Sequence, residues 1–446
     1  MCSPTMETVN LHRQLIHGLL GSASQKLAGT ALGFTVTATL AQLLGPTEFG
    51  VYSYIIALLS LLTAPLLFGL PVLVVRETAR AHATAAWGTL RGLWRWSTLA
   101  ASGSALLIGI GVLGATVLVR NESPESSLGV VLWSVALMPL VACGNLRAAA
   151  LTGLRRVVLG QLVESTLRPA LLLFLLLAAL TWLRDFQPSA ADAMSLAVLA
   201  ALVALLIANI LLRISRPADL TAQEPIYHHR AWFSAAWPLA LTASLQVINQ
   251  YTDVIMLGLF VPAHEIGIYR AAVLCAGVVP FSLHVVNAVA APHIASLYAK
   301  GETPQLQQLL TRNAQVALLG ALPVTIGLIF AGPHILQMLF GTPYGDGHLP
   351  LAILAAGQLF NAGMGSVGLL LNMTGHEKTT ARGVASAALI NILLNFALIP
   401  ALDLNGAALA STASLVVWNV VLWHAVRRQL GLSSTALGSG TGGNST

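Results

Sequence analysis

Charged side chains are scarce in this sequence. Of 446 residues only 9% are Asp, Glu, Lys or Arg, while 56% are hydrophobic; a water-soluble domain carries about a quarter charged residues. A soluble globular enzyme is therefore excluded, and the mean hydropathy of +0.78 agrees. Cysteine is scarce too. Cys2 is terminal, and Cys143 and Cys275 sit in apolar runs, where a free thiol serves as a small hydrophobe, so a disulfide framework is excluded. A G-x-x-x-x-G-K-[ST] loop is missing, and the Gly-rich "GTPYGDG" at Gly341–Gly347 has no lysine. ATP hydrolysis through such a phosphate cradle is excluded with it. Acids are outnumbered, 16 against 22 bases, for a formal charge of +6.

What the chain has in abundance is long apolar runs. Twelve start near residues 18, 50, 95, 129, 159, 192, 232, 268, 313, 349, 379 and 405, each long enough to cross a hydrocarbon layer of about 30 Å as a helix. The expectation is an all-α polytopic membrane protein of about 12 transmembrane helices. The first run follows a polar segment containing Arg13 and lacks a small-residue cleavage site, so it reads as a retained helix. The positive charge reflects topology, not nucleic acid. Sixteen of the bases fall on one alternating set of ends and loops, and only Arg120 and Arg184 on the other, which places both termini in the cytoplasm. The "NES" at Asn121, with Pro124 behind it, reads as a chance match to a glycosylation acceptor.

The chain repeats itself. "EFGVYSY" (Glu48–Tyr54) is echoed by "EIGIYRA" (Glu265–Ala271), with Glu, Gly and Tyr each 217 residues apart. Both copies fall in the connection between the first two spans of a half. Two parallel six-helix lobes around a central cavity follow, because an even number of spans per repeat lets both enter from the same side. The expected division is 1–214 for the N-terminal lobe, 215–231 for a cytoplasmic linker, 232–430 for the C-terminal lobe and 431–446 for a Gly/Ser/Thr-rich disordered tail. In the echoes, Gly50 and Gly267 are expected to permit a tight turn, and Tyr52 and Tyr269 to anchor at the interface.

Four cations lie inside or at the edges of spans: Lys26, Arg147, Arg168 and Arg270. At 1.5 Å per residue Lys26 lies about 12 Å into its span and Arg168 about 14 Å. Such residues cost about 2.5–3.5 kcal/mol at the bilayer centre, so they normally face a partner or a wet cavity. The spans hold two acids, Glu164 and Asp253, against them. The excess suits an anionic substrate, and an arginine fork suits phosphate oxygens. Duller readings stand beside this one. Glu164 and Arg168 are spaced as an i,i+4 ion pair, while Arg147 and Arg270 are placed to snorkel. Shifted by 217 residues, these cations land on Ala243, Met364, Ala385 and Ser53, so the repeat does not demand them. Asp253, with Asn391 and Asn395 on one helix face and Thr412 at similar depth, forms a set of hard oxygens suited to Na⁺. The alternative is a structural hydrogen-bond cluster. Sugar contacts would be scattered polar and aromatic residues such as Gln246, Asn249, Tyr251 and Asn361.

Three stretches, Leu40–Arg80, Asp253–Ala272 and Leu370–Trp418, together resemble polysaccharide repeat-unit flippases of the Wzx type. These belong to the superfamily that also holds lipid II flippases and multidrug and toxin extruders. The resemblance implies a non-enzymatic transporter in the bacterial inner membrane, serving O-antigen or exopolysaccharide assembly, whose substrate is an undecaprenyl-diphosphate-linked oligosaccharide held in a cationic cavity. Membrane lipid surrounds it, and a glycan polymerase and glycosyltransferases are its candidate partners. It implies no cofactor beyond a coupling ion. The lipid II flippases have a sodium site on equivalent helices, matched by Asp253, Asn391 and Thr412; the position of Asn395 is an aspartate there, which leaves H⁺ at Asp253 as the alternative to Na⁺. Two rivals remain: a drug or metabolite cation antiporter of the same fold, and a non-transporting scaffold for glycan assembly.

Overall fold

A computed structural model describes residues 6–67, 69–118, 126–182, 188–221 and 223–438. Cys2, Arg120, Arg184, the Asn121 acceptor and the tail beyond Gly438 lie outside them. The described residues are almost wholly helical and contain no strand, as a bilayer requires of a chain that must satisfy its own backbone. The helices are α1 (Met6–Leu67), α2 (Gly69–Ala83), α3 (Trp87–Leu118), α4 (Ser126–Gly153), α5 (Val157–Gln161), α6 (Arg168–Trp182), α7 (Ala190–Ser215), α8 (His229–Phe260), α9 (Ala263–Ala276), α10 (Phe281–Ala299), α11 (Thr303–Phe340), α12 (His348–Met364), α13 (Val367–Met373) and α14 (Glu377–Leu430).

Among the described residues, eight helical stretches are long and apolar enough to cross a membrane, or ten if the bent pairs α9/α10 and α12/α13 each make one span. The count falls short of twelve because two expected hairpins are kinks within continuous helices. α1 breaks at Gly45 (φ 69°) and α14 at Asp403 (φ 47°). Helical hydrogen bonding resumes at once beyond each, so no loop separates the two arms. Large apolar side chains point outward, among them Phe330 and Met338 of α11, 81% and 83% exposed. Lipid, not water, is the solvent that suits them.

The chain packs as two compact units. One comprises residues up to Leu44 together with Ile55–Val247, the other Gly45–Tyr54 together with the chain from Ile248 onward. In the first, α4 packs on α2, α3 and α7, and α6 on α7. α7 starts at a capping box, in which the Ser189 hydroxyl accepts from Asp192 N–H and Ser189 N–H donates to the Asp192 carboxylate. Its buried face is a run of alanines, Ala193, Ala197, Ala200, Ala204 and Ala208, the small residues that let membrane helices approach closely. In the second unit α11 packs on α10 and α12, and α12 on α9 and α14.

This division differs from the expected lobes, which part at the 215–231 linker. The linker is tied into the first unit: Ile226 N–H donates to Gly88 O at 2.9 Å, and Arg91 to Gln223 O at 2.7 Å. The start of α8, through Trp232 and Ala236, joins the first unit's core.

The echoed phrases are helical. "EFGVYSY" lies just beyond the Gly45 kink and "EIGIYRA" in the first turns of α9. Gly50 and Gly267 therefore do not make turns; that role falls to Gly45, whose φ of 69° suits glycine. Their shared role is close approach. A Cβ on Gly50 would fall 1.7 Å from Ala263 O, and one on Gly267 would fall 2.1 Å from Pro46 O. Since Ala263 lies 217 residues after Pro46, the contact is two-fold symmetric in the repeat numbering. Tyr269 is no interfacial anchor either, being fully buried.

Candidate functional site

In the first unit the charged residues gather where the fifth expected span loses its regular geometry. Between α5 and α6 the backbone runs as a π-helix over Leu162–Leu167. Pro169, just beyond, has no N–H to give to the preceding turn and its ring crowds that turn's carbonyl, which accounts for the local widening. The i,i+4 rule for Glu164 and Arg168 assumed α-helical geometry, which the π turn interrupts. Both residues line one cleft, together with Gly144 and Asn145 of α4 and Ala201 and Ala204 of α7.

Lys26 has an exposed side chain on α1 and makes no ion pair among the described residues. Its stretch of α1 lies against the π turn: Gln25 Nε2 donates to Thr166 Oγ1 at 3.5 Å, and Gly29 abuts Ser165. Arg147 does not snorkel. Its Nε donates to Asn209 Oδ1 at 2.9 Å and its Nη1 to Thr98 Oγ1 at 3.1 Å, which clasps the guanidinium between α3, α4 and α7. Both partners are neutral, so the positive charge is held in place but not cancelled.

The second unit holds Arg270, whose guanidinium sits 5.7 Å from the centroid of the Tyr251 ring, a cation–π contact. Asn361, a candidate sugar contact, accepts from Asn419 Nδ2 at 3.0 Å.

Asp253 anchors a larger network. Its Oδ2 accepts from Tyr269 Oη at 2.8 Å and from Ser411 Oγ at 2.7 Å. Asn391 Nδ2 donates to Ser411 Oγ and Ser414 Oγ, both at 3.3 Å, and Asn395 Nδ2 donates to Asn391 Oδ1 at 3.0 Å. The structure thus brings together Asp253, Asn391 and Asn395. It does not bring Thr412, whose hydroxyl donates to Ile353 O of α12 at 3.1 Å. Ser411 stands in its place, because adjacent helical residues point about 100° apart. Two oxygens of the network, Asp253 Oδ1 and Asn395 Oδ1, are buried with no donor among the described residues. Tyr269 and Ser411 were missed by sequence reasoning. The signals were present: Tyr269 sits four residues after Glu265 in the echo, and Ser411 and Ser414 form an i,i+3 pair facing one way.

The family model described as "Polysaccharide biosynthesis protein" matches residues 17–298. The chain belongs to that family. The chain is 22% identical over 174 residues to the probable low-salt glycan biosynthesis flippase Agl15 of Haloferax volcanii, a match covering 39% of the chain and 37% of that relative. The chain spans less than half the length of the curated relatives it matches. Its fold is shared with an inward-facing multidrug resistance MATE family transporter of the MOP superfamily (TM-score 0.73, 13% identity, covering 93% of this chain and 98% of that one). It is shared too with the lipid II flippase MurJ in an inward closed conformation (TM-score 0.67, 11% identity, 91% and 87% covered).

Proposed function

We propose that this protein is a flippase that carries a glycan repeat unit on undecaprenyl diphosphate from the cytoplasmic to the outer face of the bacterial inner membrane. The observation that carries the reading is the set of cations around the π turn: Arg168 shares a cleft with Glu164, the exposed Lys26 stands on the stretch of α1 that lies against that turn, and Arg147 is held by two neutral partners. Cations held in a low-dielectric setting attract a diphosphate strongly. Lys26 and Arg168 bind the phosphate oxygens, and Arg147, fixed by neutral partners, supplies a standing positive field. Arg270, in the second unit, is a further candidate cation, and Gln246, Asn249 and Tyr251 are candidate contacts for the sugar. The lipid tail stays in the bilayer. The chain crosses twelve times, counting each arm of α1 and α14 as a span, with both termini cytoplasmic, and works by alternating access without catalysing a reaction. The name of the Haloferax volcanii relative supports glycan flipping.

Ion coupling belongs to Asp253. Its donor-less Oδ1 and that of Asn395 fit a small cation or a proton better than a closed hydrogen-bond cluster, in which such oxygens would be satisfied. Na⁺ or H⁺ bound there would supply the driving gradient, and Ser411 rather than Thr412 provides the hydroxyl.

The test is export of surface glycan from a strain whose own copy is deleted. The double variant Lys26→Ala with Arg168→Ala, at normal membrane abundance, is expected to export about tenfold less or worse, since losing a desolvated charge contact costs more than 1.4 kcal/mol. Unchanged export would sink the cationic site and favour a scaffold. Retained efflux of cationic drugs by the wild type, without glycan export, would favour the antiporter.

A further inference from the structure

The end of the chain, expected to be disordered from its Gly/Ser/Thr composition, is pinned along the second unit as far as Gly438. α14 stops at Gly431, whose φ of 67° turns the chain back. Leu432, 4% exposed, drops into the apolar cluster of Leu306, Leu310, Val367, Leu370 and Val426. The Gln307 amide then grips the backbone of Ser433 twice, accepting from its N–H at 2.8 Å and donating to its carbonyl at 2.7 Å. This is the two-point pairing a neighbouring β-strand would offer. One and two turns along α11, Thr311 donates to Gly438 O at 3.4 Å and Gln315 to Ala436 O at 3.3 Å.

The opposite side of the strap lies on the break between α12 and α13, which are bent by 42°. Gly365 sits in the break with φ 73°, and a Cβ there would fall 2.3 Å from Ser434 O. Ending α12 leaves its last carbonyls without intrahelical donors. The strap supplies two of them: Ser434 Oγ donates to Met364 O at 3.1 Å, and Ala436 N–H to Gly363 O at 2.9 Å. Ser434 is fully buried in doing so. Only small side chains fit so narrow a track, and Ser433, Ser434 and Ala436 are small. On the far side of the break, Ser366 donates to Asn287 of α10.

We propose that Leu432–Gly438 is a latch over the α12–α13 break. It caps the carbonyls that the bend exposes and holds the bend at its present angle, so that its release shifts the population toward conformers in which α13 swings relative to α11 and α12. A hinge whose exposed groups are satisfied by a separate segment has two discrete arrangements, latched and free, and it is biased by whatever binds that segment. The inference goes beyond the transport reading and does not depend on it.

Hydrogen exchange on the full-length protein in lipid nanodiscs tests it without any substrate. In a chain ending at Gly431, the amides of Gly365–Met373 are expected to exchange about tenfold faster, and in Gln307→Ala, which keeps the Leu432 anchor, about threefold faster, as local opening follows the loss of specific hydrogen bonds. Amides of α7, in the other unit, remain at wild-type rates in both. Unchanged exchange at the break in both variants would overturn the latch. So would faster exchange throughout the second unit of the shortened chain with wild-type behaviour in Gln307→Ala, because the segment would then be only part of the core. Export of surface glycan is the readout of the flippase reading, and its failure would leave these exchange rates untouched.

Discussion

Replacing Gly267 with valine is expected to leave little folded protein in the membrane, and alanine at Gly50 to do nearly the same. The Cβ positions lie 2.1 Å from Pro46 O and 1.7 Å from Ala263 O. Both obstacles are backbone carbonyls, so no side chain can rotate away and the helices must separate. Overpacking a core with side-chain atoms costs about 1–3 kcal/mol, and a clash with backbone falls at or beyond the upper end. Because one separation relieves both clashes, Gly50→Ala with Gly267→Ala is expected to cost clearly less than the sum of the two. Gly33→Ala and Gly111→Ala are the controls, since nothing lies within 4 Å of either added carbon. Each is expected to be neutral or slightly stabilising, because alanine is the better helix former. Thermal-unfolding midpoints of detergent-extracted protein, read with abundance in the membrane, decide the matter; equal midpoints for Gly50→Ala and Gly33→Ala would refute the contact.

Asp253→Asn is expected to abolish export while leaving the fold intact. The amide keeps the shape of the side chain and an oxygen for Tyr269 and Ser411, whose bonds are 2.8 and 2.7 Å. What disappears is the charge and the capacity to bind a cation or proton. A fall in export of about tenfold or more, at normal protein level, is expected from losing a group on which coupling depends. Ser411→Ala, which removes one donor to the carboxylate, is expected to cost less, about threefold, in line with one hydrogen bond. Thr412→Val should be silent, because its hydroxyl serves a carbonyl on α12. Wild-type rates for Asp253→Asn, or Thr412→Val as damaging as Ser411→Ala, would remove the network from the mechanism. Varying external Na⁺ at fixed pH, and then pH at fixed Na⁺, identifies the ion by which change the wild type follows.

Parts of this site were legible in the sequence and parts were not. Asp253, Asn391 and Asn395 were found because each is a polar residue in a span with little else polar, and an i,i+4 pair must share a helix face. Thr412 was expected from its depth and from its match to the lipid II flippases, and depth does not distinguish it from Ser411, one residue away and pointing in a different direction. Glu164 and Arg168 looked like a regular helical pair because nothing in their spacing announces a π turn. The tail as far as Gly438 is ordered where composition suggested disorder. Its small polar residues, which in isolation favour disorder, suit the narrow track between Gln307 and Gly363, and that track exists only after α11 and α12 have packed.

The order of residues alone was enough for the membrane class, the helical content, the internal repeat and the presence of cations and two carboxylates where a bilayer would exclude them. These follow from transfer free energies that are local and add along the chain, so a run of twenty apolar residues carries its meaning wherever it packs. Packing alone settled which neighbour meets Asp253, that the two echoed glycines press their helices together, that Arg147 is clasped by Asn209 and Thr98, and that Leu432–Gly438 lies along α11. Each of those depends on the rotation of one helix against another and on backbone approach within a few ångströms, quantities set by non-local packing that no window of sequence contains.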